Sequence, residues 1–584
     1  MSKDWIIAPP AACRDELARA LHISPIVAQV LANRGVSDTG AARGFLSPRL
    51  GDILSPEAMP ATRPAADRIA AAVQNGESIV IFGDYDVDGI TGVSILWHCL
   101  KLAGVEPGFY IPHRLEEGYG ISTDAIDTLA DEGAKLIVTV DCGVTAVESA
   151  ARAKERGVDL IITDHHNPDT DASGAMRLPD ALIVHPGIGP QDEPPYPNAD
   201  LCGAGVAFKL AWAVAQTLSK TDKVTPEFRA FLIEALGLAA LGTIADVVPL
   251  VGENRLIAHH GLQGLPQSHH PGIKALIHSA GLAGKKLDGY DIGYRLAPRL
   301  NAIGRMGHAQ VAVEMLTRST PTEAVRIAEN LEQQNRARQT LERKIAAQAK
   351  EMVVEQGQDS DAVRAIVLAS EGWHAGVIGI VASRIVDEFC RPAVLIALED
   401  GQGQGSGRSI KNFPLGDVLN ECREHLIACG GHDMAAGLRI DASKIDEFRV
   451  AFQARAGQRL TAADLKPKLH IDDVVDLGQL DEQLVESLAR LEPFGAGNPA
   501  PRLATEMLDV TGEPRTVGSP PNHLQVVLGD GRTQCKGIAF GQAKVREQLL
   551  DCRRCRVAFR PILNEWNGRR NVEMQIIDFK FPDA

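Results

Sequence analysis

The sequence predicts an α/β protein: a doubly wound parallel-sheet unit and a second α/β unit joined by a long helix, then a small C-terminal β-barrel. Three observations carry this. From about residue 51 to 320, β-branched runs alternate with Ala- and Leu-rich helical stretches, the rhythm of a parallel sheet with helices on its faces. Between Thr322 and Gln356 the chain has neither Gly nor Pro, and Gly357 ends that stretch. From about residue 465, short alternating runs are parted by Gly, Pro and Asn turns.

A chain of 584 residues predicts three or four domains at roughly 150 residues each. Its 45% hydrophobic and 23% charged residues are those of an ordinary soluble globular protein. No run approaches the ~20 apolar residues that span a bilayer. The start, Met1-Ser-Lys-Asp-Trp5, lacks the basic-then-apolar pattern of an export signal. No membrane partner is therefore expected, and a cytoplasmic location is. The ten cysteines are scattered, and Cys552-Arg-Arg-Cys555 has no second pair or nearby histidine to complete a zinc site, so reduced thiols are expected. The net charge of −15 at first argues against a polyanionic substrate, but it is uneven. Residues 501–584 hold 13 Lys and Arg against 10 Asp and Glu, while the other 500 hold 47 against 65. Local basic patches steer polyanions whatever the total, so charge leaves a nucleic acid open without supporting it.

Residues 1–50 are helical in pattern, end in Ser47-Pro48 and read as a lead-in. The first unit, 51–320, has strand-like runs Ser78–Phe82, Lys135–Val140, Asp159–Thr163 and Ala181–Val184, with a Gly- and Pro-rich loop from Gly187 to Pro197 and an apolar helix over about 228–245. The stretch 321–358 is the connecting helix. Its polar middle, Glu332-Gln-Gln-Asn-Arg336, does not suit a core and predicts a helix crossing between domains through solvent. In the second unit, 359–460, Val363–Ala369 and Pro392–Leu398 read as strands around a helix from Gly376 to about Phe389. In the barrel, 461–584, Leu524–Leu528 and Val557–Pro561 are the clearest strands.

The chemistry sits where three strands of the first unit end. Ser78–Phe82 opens into Asp84-Tyr-Asp-Val-Asp-Gly89, Lys135–Val140 into Asp141-Cys-Gly143, and Asp159–Thr163 into Asp164-His165-His166. In open α/β sheets that rim is where ligands bind. An ion that activates water needs hard oxygen donors, often with imidazole. Asp84, Asp86, Asp88, Asp141, His165 and Asp246 are the candidates, Asp246 following the apolar helix in Ile244-Ala-Asp-Val-Val-Pro249. Carboxylates two residues apart on an extended segment point the same way, so Asp86 and Asp88 would serve neighbouring ions and Asp141 would bridge them. One Asp at a strand end is commonly a turn or cap; acids at three successive strand ends point to a metal site. Adjacent histidines diverge, so one of His165 and His166 is a ligand and the other contacts a phosphoryl oxygen or leaving group, or holds a ligand in place. His259-His260 and His269-His270 lack that strand-end context and are expected at the surface.

These motifs in this order resemble the DHH phosphoesterase superfamily: Asp-x-Asp-x-Asp-Gly89, Asp141-Cys-Gly143, Asp164-His-His166 and Ala245-Asp-Val-Val-Pro249. Longer segments are similar to its single-strand-specific 5′→3′ DNA exonucleases. They are Pro112–Gly120 (PHRLEEGYG), Leu201–Phe208, Leu296–Arg305, Gly372–Ile380, Gly405–Ser409 and Gly430-Gly-His432. The resemblance runs from about residue 50 to the end. It implies a DHH domain, a DHH-associated substrate-binding domain, the joining helix and an oligonucleotide-binding (OB) barrel. It implies Asp86, Asp88, Asp141, His165 and Asp246 as ligands of two Mn2+ or Mg2+ ions, Asp84 as a further acid of the site, and His166 as a catalytic partner. Arg114, Ser406 and Arg408 would grip the 5′-terminal phosphate and Tyr119 would lie near the first bases. A guanidinium presents a planar fork to phosphate, and glycines beside Ser406 let backbone approach it. Arg299, Asn301, Arg305 and His432 are further substrate candidates, and Trp373 and His374 would either stack near the substrate or belong to the core. His185 departs from the pattern, which has Asn before Pro186.

The implied reaction is two-metal hydrolysis of phosphodiesters at the 5′ end of single-stranded DNA, with ions about 3.5–4 Å apart. It would release 5′-mononucleotides in recombination and repair, with a single-strand-binding protein and a helicase as partners. No P-loop is present, so ATP hydrolysis is not expected. The rivals are a superfamily enzyme for small substrates, which would need neither barrel nor connector, and a DNA-binding subunit without ions, which would have lost some of the acids.

Overall fold

The computed structural model describes residues 3–114, 116–171, 173–190, 194–220, 223–566 and 568–582. The first unit holds a five-stranded, all-parallel sheet in the order Gly108–Tyr110, Ile79–Gly83, Leu136–Val140, Asp159–Thr163, Leu182–Val184. Strand side chains alternate between two cores. Ile79, Ile81, Leu136, Val138, Val140 and Ile161 face the Val87–Leu102 and Gly203–Ser219 helices, whereas Phe82, Ile137, Leu160 and Ile162 face Thr123–Asp131 and Val147–Glu155. Burial on both faces is why these strands read as continuous apolar runs.

Among the described residues one helix, Pro226–Ala245, is long and apolar enough to cross a bilayer, which corrects the expectation that no run approaches that length. Most of it is buried, and it packs on the Val87–Leu102, Gly203–Ser219 and Gly252–Gly264 helices. All-round hydrophobicity here marks a core helix.

The connecting helix runs Pro321–Glu355, capped by Thr320, whose side chain accepts from Glu323 N. Its passage through solvent is corrected. Ala324, Ala328, Leu331, Asn335, Arg338, Glu342, Ile345 and Ala349 form a buried stripe at alternating spacings of four and three, the seam of a packed helix. The polar members are buried with partners: Arg338 pairs with Glu342 at 2.7 Å and bonds Asn335 at 3.1 Å. Arg299 pairs with Glu332 at 2.7 Å, so the helix is bolted to the first unit as well as to the second.

The second unit has a mixed sheet in the order Ala428–Gly431, Ala435–Asp441, Gln402–Arg408, Ala393–Glu399, Ile366–Glu371, with only the last pair parallel. In the C-terminal unit Leu508–Val517, His523–Gly529, Gln534–Ala539, Arg569–Lys580 and Arg554–Trp566 pair in that order, and the last returns to the first, closing a barrel. Gln534–Ala539 and Arg569–Lys580 are parallel and the rest antiparallel, the five-stranded arrangement of an OB fold.

The N-terminal segment is more than a lead-in. Asp4–Ile7 pairs in parallel with Lys468–Ile471, and Leu17, Ile26, Val30 and Leu31 share one core with Leu488, Leu503 and Phe559 of the C-terminal unit. Arg34 clamps Asp472 at 2.7 Å. The ten cysteines are unpaired, Cys552 exposed and Cys555 buried. His259, His260 and His270 are half-buried, which corrects their expected surface position; His270 caps the Pro271–Ser279 helix and meets His98 edge-on.

Candidate metal centre

The acid-bearing turn is built by glycines and a cap. Past the Ile79–Gly83 strand, Asp86 caps the Val87–Leu102 helix, its Oδ1 accepting from Asp88 N at 2.9 Å and Gly89 N at 3.3 Å. Asp88 therefore stands in the first helical turn. The expected extended Asp86–Asp88 segment is corrected, because capping by Asp86 starts the helix between them. A Cβ on Gly89 would lie 2.5 Å from Asp84 O, so no other residue lets the turn fold this tightly. Asn301 steadies the same turn by accepting from Val87 N at 3.1 Å.

Asp141 leaves its strand with φ +64, and a Cβ on Gly203 would strike its side chain at 2.6 Å. The Gly203–Ser219 helix thus starts against Asp141 and donates Gly203 N and Ala204 N to the two oxygens of Asp88, at 2.6 and 2.8 Å. Helix N-terminal amides hold a carboxylate well. Asp246 caps the C-terminus of the Pro226–Ala245 helix, and Val247 follows with φ +62, a strained conformation for a β-branched residue.

These elements converge on His165. Its Nε2 lies 3.1 Å from Asp141 Oδ1 and 3.7 Å from both Asp88 Oδ2 and Asp246 Oδ2. Burial drives the His165 pKa down to about 3, so the ring is neutral and offers a lone pair. Three overlapping donor sets meet here among the described residues: Asp84, Asp86 and Asp141; Asp88, His165 and Asp246; and Asp141, His165 and His166, each with one atom per residue within 4.8 Å of the others. Asp84 Oδ1, Asp141 Oδ1 and His165 Nε2 are buried with no hydrogen-bond partner among the described residues. Burial and mutual repulsion push Asp84 and Asp141 well above the usual carboxylate range, Asp246 to about 8 and Asp88 to about 6. Orphaned lone pairs and crowded carboxylates are what divalent cations would relieve, and an oxygen-rich set with one imidazole fits Mg2+ or Mn2+ better than Zn2+.

His166 has the opposite character. Burial lowers its pKa, but Asp164, with help from Asp246 and Asp84, outweighs this and raises it to about 9. Its Nδ1 lies 2.8 Å from Asp164 Oδ1 and 3.0 Å from the Tyr119 hydroxyl, which donates to Asp141 O at 3.0 Å. Asp164 also accepts from the backbone N–H of Val144, His165 and His166, so it orients both histidines. Sequence reasoning gave Asp164 no role; its signal was a carboxylate directly before two histidines at a buried strand end. His185 Nε2 bonds His166 O at 2.8 Å and its Nδ1 accepts from Gly187 N, so the departure at this position still anchors His166.

Opposite the acids stand arginines. Arg114 lies over the Tyr85 ring at 4.7 Å. Burial, then Arg114, Arg338 and Arg408, bring the Arg305 pKa down to about 10, and Arg305 Nη1 donates to Gly376 O at 2.9 Å. Arg408 Nη1 donates to Ser406 Oγ at 3.2 Å, and both side chains pack on Gly379 in the first turns of the Ala375–Phe389 helix, where a Cβ would meet Ser406 Oγ at 2.8 Å. Arg114 and Arg408 enter no ion pair among the described residues. The exposed His432 lies in the hairpin turn at the Arg408 end of its sheet, where Arg408 is in register with Ala435. Arg299 is tied to Glu332 and Arg295 O. Trp373 is buried and bonds Gln348, a core residue, and His374 caps the following helix.

Sequence profiles match three segments: the DHH family, N-terminal domain, over 78–243, the DHHA1 domain over 362–458, and the RecJ OB domain over 471–578. The single-stranded-DNA-specific exonuclease RecJ of Bacillus subtilis is 38% identical over 565 residues, 96% of this chain and 69% of that protein. The chain belongs to the RecJ family. The RecJ of Thermus thermophilus is 34% identical over 99% of this chain and 78% of its own. Its crystal structure in complex with Mn2+ superposes with a TM-score of 0.83 at 31% identity, covering 100% of this chain and 80% of that one. Another exonuclease RecJ bound to manganese covers 70% of this chain and 98% of its own, with a TM-score of 0.58 and 35% identity.

Proposed function

We propose that this chain is a metal-dependent exonuclease specific for single-stranded DNA, which hydrolyses phosphodiesters from the 5′ end and releases 5′-mononucleotides in recombination and repair. One observation carries it: two adjoining carboxylate sets with orphaned buried donors stand beside a cluster of arginines, two of which have no acid partner among the described residues. Asp84, Asp86 and Asp141 would hold one Mn2+ or Mg2+, and Asp88, His165 and Asp246 a second beside it. Bound, such ions polarise the phosphoryl oxygens and supply a nucleophilic water at neutral pH.

The remaining work falls to the protein. His166, protonated at neutral pH and oriented by Asp164, places a positive charge where the phosphoryl group gains negative charge. Tyr119, fixed by Asp141 O, covers the approach of the first base. Arg114, Arg305, Arg408 and Ser406 receive the terminal phosphate in charge-assisted hydrogen bonds, which sets polarity because that pocket stands at a fixed place relative to the acids. A strand with an open 5′ end arises by unwinding, so a helicase and a single-strand-binding protein are the partners implied, and a cytoplasmic location follows from a chromosomal substrate.

The test is digestion of end-labelled single-stranded DNA with Mn2+, with Mg2+ and with chelator. Cleavage from the 5′ end with either ion and none with chelator is expected. Asp141→Ala is expected to abolish cleavage while 5′-end binding persists. Cleavage in chelator, or an Asp141→Ala enzyme of undiminished rate, would overturn the proposal.

A further inference from the structure

Asp246 is held differently from Asp86 and Asp88. Asp86 accepts from Asp88 N and Gly89 N, and Asp88 from Gly203 N and Ala204 N. Among the described residues no amide or side chain donates a hydrogen bond to the Asp246 carboxylate, and its nearest ring nitrogen, His165 Nε2, is 3.7 Å away. It also stands at the C-terminal end of the Pro226–Ala245 helix, where the helix dipole disfavours a carboxylate. The direction of this side chain is therefore set by its backbone.

That backbone runs between two fixed points without slack. On one side Asp246 N donates to Gly242 O at 2.9 Å and Val247 N to Ile244 O at 3.3 Å, so the helix reaches its cap intact. On the other, Leu250 N donates to Ala496 O at 2.7 Å and Asn254 Nδ2 to Pro249 O at 3.1 Å. Val248 precedes Pro249, whose ring disfavours helical backbone there, so the reversal falls on Val247. Helices commonly end on a left-handed residue that is usually glycine. Here a valine carries φ +62 with its side chain 67% exposed. Side-chain packing does not offset that strain; the two anchors impose it.

The second anchor belongs to the C-terminal unit. Asn498, fully buried, donates to Leu491 O and Pro493 O, both at 2.9 Å, and its backbone pairs with that of Gly495, which builds a tight loop. A Cβ on Gly497, itself at φ +70, would lie 3.1 Å from Pro249 Cβ and 3.2 Å from Val251 Cγ1. One on Gly495 would lie 2.7 Å from Leu250 Cδ1, so two glycines let the loop close on the segment after Asp246. Arg255 fastens the same loop by donating to Glu492 O at 2.7 Å. We infer that the 493–498 loop of the C-terminal unit is a positioning element of the metal centre: by clamping Pro249 and Leu250 it forces Val247 left-handed and so aims Asp246 at the donor set it shares with Asp88 and His165. The inference rests on the proposed function for the ions themselves. It goes beyond it in giving the barrel-bearing unit a part in holding a ligand, with Val247 as the residue that transmits it.

The experiment follows thermal unfolding of the full chain in chelator and across an Mn2+ titration. Wild type is expected to gain stability as the ion binds the folded state. Gly497→Ala crowds Pro249, so the Mn2+ concentration that produces a given rise in Tm is expected to increase about tenfold, as for loss of a group that orients a ligand. Asparagine adopts positive φ more readily than valine and needs no clamp to do so, so Gly497→Ala/Val247→Asn is expected to regain the wild-type response. A Gly497→Ala protein whose Tm falls equally in chelator and at every Mn2+ concentration, or a double variant as weak in its Mn2+ response as the single one, overturns the inference. Failure of the underlying reading shows separately, as wild-type protein that gains no stability from Mn2+.

Discussion

The two α/β units use the same parts and finish them with opposite charge. In the first, parallel strands end in Asp84, Asp141 and Asp164-His165-His166, and the Gly203–Ser219 helix N-terminus donates to a carboxylate of the protein itself, Asp88. In the second, the Ala375–Phe389 helix starts beside Ser406 and Arg408, with Arg305 reaching across to Gly376 O and, among the described residues, no acid paired with Arg408. One rim is short of cations and the other of anions. A substrate that brought a terminal phosphate to one and a scissile phosphate to the other would satisfy both, and on the proposed function that pairing sets polarity.

The largest effect is expected from the acid rim. His165→Ala removes the one imidazole of the second donor set, and the cleavage rate is expected to fall by about 10³-fold, several kcal/mol of lost charge stabilisation. Calorimetric titration with Mn2+ should register fewer bound ions; an unchanged stoichiometry would break the assignment of that rim. Next comes Asp164→Asn, which leaves the ligands in place but frees His166 to turn. A loss of about 10–100-fold in kcat is expected, with Mn2+ stoichiometry retained.

On the cation rim, Arg408→Ala is expected to raise KM for 5′-phosphorylated DNA by about 10-fold, as for a hydrogen bond to a charged group. DNA with a 5′-hydroxyl should be nearly unaffected, and equal losses on both substrates would deny that rim its phosphate. The smallest effect is expected from Ser406→Ala. Loss of one neutral partner of Arg408 should change KM only a few-fold, about 1 kcal/mol, read in the same comparison.

Much of this was legible because burial on both faces writes parallel strands as continuous apolar runs, and the observed Ile79–Gly83, Leu136–Val140 and Asp159–Thr163 fall within a residue of the expected runs. Their acids stood out because charged residues rarely follow such runs in succession. The helix Pro321–Glu355 was misread for a physical reason: Asn335, Arg338 and Glu342 look like solvent residues until they satisfy one another inside the molecule. The role of Asp164 was missed because a carboxylate that serves two neighbouring histidines has the same composition as one that binds an ion. Docking of residues 4–46 onto a barrel more than 400 positions away left no local trace at all.

Local chemistry alone determined which residues form strands and which acids and histidines lie at their ends, since hydrophobic periodicity and turn glycines act over a few residues. Only the tertiary structure decided that Asp246 and His165 meet, that Arg305 and Arg408 face the same cleft from two units, and that the C-terminal unit reaches the turn after Asp246. Those placements depend on how separate elements pack, and packing is set by contacts between residues that the chain order keeps far apart.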